Sequence, residues 1–271
     1  MLTERNKIKR EITMSLLNKL RDSTQAVDTA AEMADHNGGG FLKDSGVYSE
    51  QISKAFLLES KSGAIGIYIQ YSGDVMYDET VYISNREGDT FYSKDGKDSP
   101  MPSYVDMKKL NYILTGNMIT SASQFKVEER IVKHFKWVED PENEGKNKKV
   151  DIELTAEVLV DWIGKDVKMS VQMCEEEKKE KKGEKYVGMG VRAEDKDGKP
   201  YLEAKILNYF NSDTDKTASE TLNDKESVQL AKDEVRLEKS PVRLFKAKKP
   251  KSGASASSSK PSSAPKKPSV F

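Results

Sequence analysis

Flat aromatic side chains and cations are interleaved over one short stretch of the sequence. The residues are Tyr82, Arg86, Phe91, Tyr92, Lys94 and Lys97. Rings of this kind stack on unpaired nucleobases, and Lys and Arg pair with phosphates, so together they can hold single-stranded nucleic acid without reading its sequence. Tyr68, on the polar face of a neighbouring predicted strand, would extend the platform. These seven residues are our candidate nucleic-acid contacts.

The same residue types also have a purely structural interpretation. Tyrosine packs well on a pleated, half-buried surface, so each of these rings could equally form part of the wall of a β-structure. A run of Lys and Glu such as residues 175–182 is typical of a solvated surface, and it predicts no site.

Motifs for catalysis or metal binding are missing from the sequence. It has no phosphate-binding loop, dinucleotide-binding glycine motif, zinc-protease motif or nucleophile elbow. One cysteine, Cys174, and two histidines, His36 and His134, are too few for a His/Cys metal site. His134 lies within a predicted strand, where we interpret it as a surface or interface histidine rather than a general base. We therefore expect a binding protein without catalytic residues, metal or cofactor, and not an enzyme.

Strands and one helix must position the candidate residues. Period-two patterns predict a meander of three strands, with a tight turn at 72–74. A helix should begin at Ser103 and end at Gly116. Further strands and helices follow it. The predicted strands are 47–58, 64–71, 77–84, 127–138, 150–154, 167–173, 186–193 and 201–210, with a short helix at 155–163 and a hairpin tip at 175–185.

This order favours a mainly β (α+β) fold. We predict an OB-like five-stranded Greek-key barrel with inserted hairpins, flanking helices and a disordered C-terminal tail. A doubly wound α/β sheet would need helices between all strands, and they are missing. An open antiparallel sandwich is the alternative.

The chain is predicted to have four parts. They are an amphipathic helix and glycine hinge (1–40), the OB-like domain (41–216), a polar helix (217–239) and a disordered basic tail (240–271). Apolar residues make up 36% of the sequence and charged residues 33%, which predicts a thin core. No apolar run approaches the roughly 20 residues of a membrane span, so we expect a cytoplasmic protein.

Charge is distributed unevenly along the chain. The sequence has 45 basic and 45 acidic residues, but eight of the basic ones and none of the acidic ones lie beyond residue 239. A mildly acidic body therefore carries a basic tail. The tail is rich in Ser, Ala, Pro and Lys, and it ends in Val270 and Phe271.

Seven short motifs are spread in order over most of the chain. They are GGF at 39–41, SGVY at 45–48, TVYISNR at 80–86, FYSKDGK at 91–97, LTG at 114–116, GKDV at 164–167 and NYFN at 208–211. In order and spacing, the region from about residue 15 to 211 resembles phage-encoded single-stranded DNA-binding proteins with an OB-like core. The resemblance implies sequence-independent binding of single-stranded DNA during phage replication and recombination, in the cytoplasm of an infected bacterium. A virion or assembly protein that uses a β-barrel without nucleic acid is the alternative.

The tail departs from that family. Bacterial and many phage members end in an acidic tail that docks partner proteins, whereas this tail is basic. We hypothesise that Lys266, Lys267, Val270 and Phe271 dock on an acidic surface of a partner such as RNA polymerase or a replication or recombination protein. The alternative is a solubilising tail that holds DNA loosely.

Overall fold

The computed structural model describes residues 15–22, 44–74, 77–141, 147–182 and 185–246. Twelve strands lie in these ranges: β1 Gly46–Glu59, β2 Ile65–Gly73, β3 Tyr77–Tyr82, β4 Phe91–Lys94, β5 Lys97–Pro100, β6 Val127–Glu139, β7 Asn147–Leu159, β8 Asp166–Glu175, β9 Glu177–Lys182, β10 Lys185–Arg192, β11 Leu202–Asn211 and β12 Val242–Arg243. The α-helices described are α1 Pro102–Thr115, α2 Ala218–Leu222 and α3 Gln229–Lys239. Single 3-10 turns lie at Leu17–Lys19 and Ala122–Gln124.

One large, mainly antiparallel sheet forms the body. Its neighbouring strands follow the order β11-β8-β1-β2-β3, and the short β12 runs parallel to β8. β6 and β7 form a long hairpin that joins β1 through the pair Phe56 and Val158. The hairpins β4–β5 and β9–β10 form separate two-stranded sheets. The prediction of a mainly β chain is confirmed.

The main core lies on the inner face of this sheet. In β2, Ile65, Ile67, Ile69 and Tyr71 point inward, as the alternation predicts. Alternate residues of β8, from Val167 to Met173, do the same. α1 covers this core with Met107 and Leu110. Nearby, the indole N–H of Trp162 donates to Asn111 Oδ1 at 3.0 Å, which satisfies the one polar atom of that buried ring.

Barrel closure is the part of the fold prediction that is not confirmed. Within the described residues the strand path ends at β11 on one side and at β3 on the other. α1 contacts both strands, and the two edges are linked by side chains instead of backbone hydrogen bonds. Tyr71 and Tyr209 each donate to Glu79 Oε1, at 3.2 and 3.3 Å, and their hydroxyls lie 3.2 Å apart.

A second, smaller cluster lies on the outer face of the sheet. The β6–β7 hairpin folds over β1 and β2 there, which buries Phe56, Tyr68, Ala156 and Val158 together. The sequence pattern assigns residues 155–163 to a helix, and this is wrong. β7 continues to Leu159 because its apolar residues at alternate positions pack on this outer face, and tertiary packing outweighs local propensity.

α3 is held to the outer face of β8 and β11 by a buried carboxylate. Asp233 is 2% exposed and accepts hydrogen bonds from Ser170 Oγ, from Asn208 Nδ2 at 2.9 Å and from Gln229 Nε2 at 3.0 Å. Arg236 adds a bond to Gln172 Oε1 at 3.0 Å. Polar residues on the outer face of β8 therefore serve as the docking surface of a helix.

Several predicted boundaries shift in the structure. The polar helix predicted at 217–239 is two helices, because Glu220 completes a capping box with Thr217 and also accepts the backbone N–H groups of Val228 and Gln229 at 2.7 Å. α1 has Met101 as its N-cap and Pro102 in its first turn, and Ser103 Oγ donates to Tyr82 O at 2.6 Å. Gly116 ends this helix at φ 72°, as predicted. Residues 240–246, at the start of the predicted tail, run beside β8.

Replacing Asp233 with Ala should lower the free energy of unfolding by about 2–4 kcal/mol, because it leaves buried polar groups of Ser170 and Asn208 without an acceptor. Urea denaturation measures the change. Glu234→Ala, an exposed position of the same helix, is the matched control and should change stability by less than about 0.5 kcal/mol. Equal urea midpoints for the two variants would show that Asp233 is dispensable.

Candidate nucleic-acid interface

Tyr82 and the β4–β5 hairpin each present an exposed aromatic ring. Tyr82 ends β3 and is 46% exposed, and Tyr92 in β4 is 51% exposed. The hairpin base is closed by a hydrogen bond from Met101 N to Thr90 O at 2.8 Å, two residues before Ser103, which bonds to Tyr82 O. These two bonds tie the end of β3 and the base of the hairpin to the same short segment, 101–103.

The predicted cations of this surface are exposed. Lys94 and Lys97 flank the two-residue turn of the hairpin, and Arg86 lies in the turn before it. Within the described residues none of the three forms an ion pair, so their charges are available to an anion. Phe91 is half-buried at the hairpin base and offers less surface than predicted. Acidic side chains at 87, 89, 95 and 98 lie in the same stretch.

The segment 15–22 fixes the loop that carries Arg86. Arg21 pairs with Asp89 at 2.9 Å, and its backbone bonds to Gly88 O and Thr90 N. Gly88 has φ 87°, and a Cβ there would lie 2.1 Å from Lys19 O, so only glycine permits this approach.

Asp22 anchors the same segment from inside. Its carboxylate accepts from Tyr104 OH at 2.7 Å, from Ser121 Oγ at 2.9 Å, from Thr90 Oγ1 at 3.1 Å and from Ala122 N at 3.1 Å. Sequence reasoning missed this residue, because its partners are 68 to 100 positions away along the chain.

Tyr68 does not lie where the sequence prediction needs it. The tyrosine is on the outer face of β2, as predicted, but only 3% of it is exposed. The rings of Phe56 and His134 cover it, with centroids 4.8 and 4.5 Å away. The β6–β7 hairpin thus occupies the surface on which a base would stack, and Tyr68 is corrected from an exposed platform to a packed ring.

A cleft remains beside Tyr68, between the outer face of β1–β2 and the β6–β7 hairpin. We call it the hairpin cleft, and its volume is about 480 Å³. Its lining consists of Lys54, Tyr68, Gln70, Lys133, His134, Phe135, Lys149, Asp151, Ile152 and Glu153. Lys54 Nζ donates to Lys133 O at 3.1 Å, and Lys149 Nζ lies 3.7 Å from the centre of the Phe135 ring. Two of the three lysines are thus held in place by neutral groups.

His134 is the half-buried histidine of this cleft. Its ring packs edge-on against Tyr68 and Phe56 within the outer cluster. Burial lowers the pKa of the imidazole, the charges of Lys54 and Lys149 lower it further, and Asp78 partly opposes them. The ring is therefore expected to be neutral near pH 7.

The remaining predicted contacts, Lys266, Lys267, Val270 and Phe271, lie outside the described residues. Among the described residues, no group of three or more His, Cys, Asp or Glu side chains is arranged to hold a metal ion. Of the helices in the described ranges, none has the length and apolar character required to cross a lipid bilayer. Comparisons with protein-family models, with curated proteins and with solved structures found no significant match to this chain.

Replacing His134 with Phe keeps a ring in the aromatic packing but removes the titratable group. The folded protein disfavours the charged imidazole, so the wild type should lose stability as the pH falls below about 6.5, the pKa in the unfolded chain. That loss should be complete only below the lowered pKa of the folded state. Urea midpoints at pH 7.5 and 5.5 should differ more for the wild type than for His134→Phe, and an identical difference would contradict the assignment.

Proposed function

We propose that this chain is a non-enzymatic protein that binds single-stranded DNA without sequence preference, in phage DNA replication and recombination. The observation that carries the proposal is that Tyr82, Tyr92, Arg86, Lys94 and Lys97, all within residues 82–97, are exposed, and that none of these cations is paired within the described residues. Rings supply stacking to any base, and cations follow the phosphates.

The arrangement of the sheet supports this proposal. Setting aside the hairpins, the chain runs β1-β2-β3-α1-β8-β11, while the spatial order is β3-β2-β1-β8-β11. An OB-like Greek-key barrel would have this order if it were opened between its third and last strands, and that fold is used to bind oligonucleotides. On this interpretation β6–β7 and β9–β10 are insertions, and the β4–β5 hairpin extends the connection to the helix.

The number of these contacts is adequate for useful affinity. Each base stacked on an aromatic ring contributes about 1–3 kcal/mol. Two exposed tyrosines and three cations would give binding that weakens strongly with salt, because each neutralised phosphate releases counterions. The acidic residues of the same stretch repel phosphates and so limit purely electrostatic binding to DNA. Affinity then depends more on stacking with unpaired bases.

Tyr92→Ala and Tyr82→Ala should each weaken binding to oligo-dT by about 1–3 kcal/mol, because each removes a stacking surface. Fluorescence anisotropy with a labelled oligonucleotide measures the loss. Tyr92→Phe is the matched control, since it retains the ring and should retain most of the affinity. A Tyr92→Ala protein that binds as well as the wild type would reassign this ring to a structural role.

The lysines are tested through salt dependence. Replacing Lys94 and Lys97 together with Gln should reduce the slope of log affinity against log salt by about 1.4, or about 0.7 per phosphate on a single strand. The control replaces Lys232 and Lys239, two exposed lysines of α3, and should leave the slope nearly unchanged. Wild-type protein that ignores oligo-dT in dilute buffer, or that prefers duplex DNA, would refute the proposed function and favour an assembly role.

The C-terminal tail is proposed to bind a protein partner through Lys266, Lys267, Val270 and Phe271. Truncation of residues 262–271 should leave oligo-dT affinity within about twofold but abolish capture of purified bacterial RNA polymerase or of a purified replication protein, because the charges and the apolar end are removed together. If DNA affinity falls and no partner is lost, the tail is a DNA contact instead.

A further inference from the structure

We propose that the hairpin cleft is a binding site for a single nucleotide of the DNA strand, with its base in the cleft beside His134 and its phosphate at the lysines of the rim. This inference rests on the proposed function and adds a second, enclosed contact to the exposed tyrosine surface. It also gives the β6–β7 hairpin a role as a clamp on the strand.

The dimensions of the cleft suit one nucleotide. A volume of about 480 Å³ is within the range of small-molecule sites and too small for several stacked residues. The wall is formed by the rings of Tyr68, His134 and Phe135 and by Ile152, and the amide of Gln70 offers a donor and an acceptor. Aromatic walls with a few polar groups are what a flat heterocycle requires.

An unsatisfied polar atom points to a missing partner. Nδ1 of His134 is buried and has no hydrogen-bond partner in the structure. An unmade hydrogen bond at a buried nitrogen costs free energy in either tautomer, and the polar edge of a base can supply a donor or an acceptor. Because the atom is covered, the hairpin has to shift slightly for a base to reach it. β7 meets β1 at one backbone pair, Phe56 and Val158, so little backbone pairing with β1 opposes such a shift.

The charges at the cleft favour a nucleotide over a bare anion. Lys54, Lys133 and Lys149 form no ion pair within the described residues, so they are available to a phosphate. Asp151 and Glu153 line the same cleft, and the carboxylate of Asp78 acts on His134 from outside the lining, so acidic groups offset the three lysines. Carboxylates repel phosphate but accept hydrogen bonds from base amino and imino groups. A nucleotide carries both kinds of group, a phosphate for the lysines and base hydrogen-bond donors for the carboxylates.

The experiment titrates the full chain with thymidine monophosphate and, separately, with inorganic phosphate and oligo-dT. The sequence has two histidines, so the imidazole resonances can be assigned with His134→Phe. Thymidine monophosphate should shift the His134 signals, and inorganic phosphate at equal concentration should shift them far less. An equal shift with phosphate would mean an anion site without base recognition and would overturn the proposal.

Variants of the hairpin test the same cleft in the DNA complex. Lys133→Gln combined with Lys149→Gln should weaken oligo-dT binding about tenfold at low salt and reduce the salt slope by about 1.4. The matched control combines Lys136→Gln with Lys148→Gln, exposed positions of the same hairpin that do not line the cleft, and should change affinity no more than about twofold. Equal unfolding midpoints confirm that all four substitutions leave the fold intact.

The outcomes separate the two proposals. Wild-type protein that binds oligo-dT while His134 stays unshifted, or while both double variants bind alike, overturns the nucleotide site and leaves the proposed function in place. Wild-type protein that does not bind oligo-dT overturns the proposed function itself, whatever the mononucleotide does.

Discussion

Strand β1 changes its pairing partner halfway along its length, and the rest of the structure depends on that change. β2 pairs with β1 from Glu50 to Glu59, but β8 pairs with it only from Gly46 to Gln51. Beyond this point the second edge of β1 meets β7 at one residue. A shift in register between Ile52 and Lys54 accompanies the change, as expected of a bulge that bends a strand. Two surfaces of the same sheet are therefore used, one for the core and one for the hairpin.

The division explains why the two clusters have different characters. The inner cluster collects most of the buried apolar residues of the described ranges and is covered by α1. The outer cluster is small and aromatic, and lysines and carboxylates border it. It forms where the β6–β7 hairpin covers the faces of β1 and β2 without extensive backbone pairing. Because the hairpin covers this face with little backbone pairing, the hairpin cleft remains at its edge. Aromatic and titratable side chains line that cleft.

Much of the fold was predictable because most strands carry their own alternation. β2 and β8 show apolar residues at every second position, and the structure places those residues inward. Barrel closure was not predictable, since it depends on whether α1 admits a direct contact between β3 and β11. The extension of β7 through Thr155 and Ala156 was also hidden, because that segment has helix-forming residues and gains its strand partner only from the tertiary fold.

The candidate site shows the same division between local and distant information. Exposure of Tyr82, Tyr92 and the hairpin lysines follows from polar surroundings within a few residues. Burial of Tyr68 does not, because the residue that covers it, His134, is 66 positions further along the chain. Face assignment within β2 was right, yet the polar face of a strand is exposed only if no inserted element folds onto it. The role of Asp22 was also not predictable from the sequence, because its hydrogen-bond partners are 68 to 100 positions away along the chain.

The unpaired edges of β3 and β11 affect how readily the protein aggregates at high concentration. Unpaired strand edges are templates on which neighbouring molecules add strands and aggregate. At the seam between β3 and β11, an incoming strand would meet α1, which contacts both edges, and the carboxylate of Glu79 held between two tyrosine hydroxyls. The helix and the hydrogen-bonded Glu79 side chain cover these edges, so the sheet can stay unclosed without offering them to neighbouring molecules.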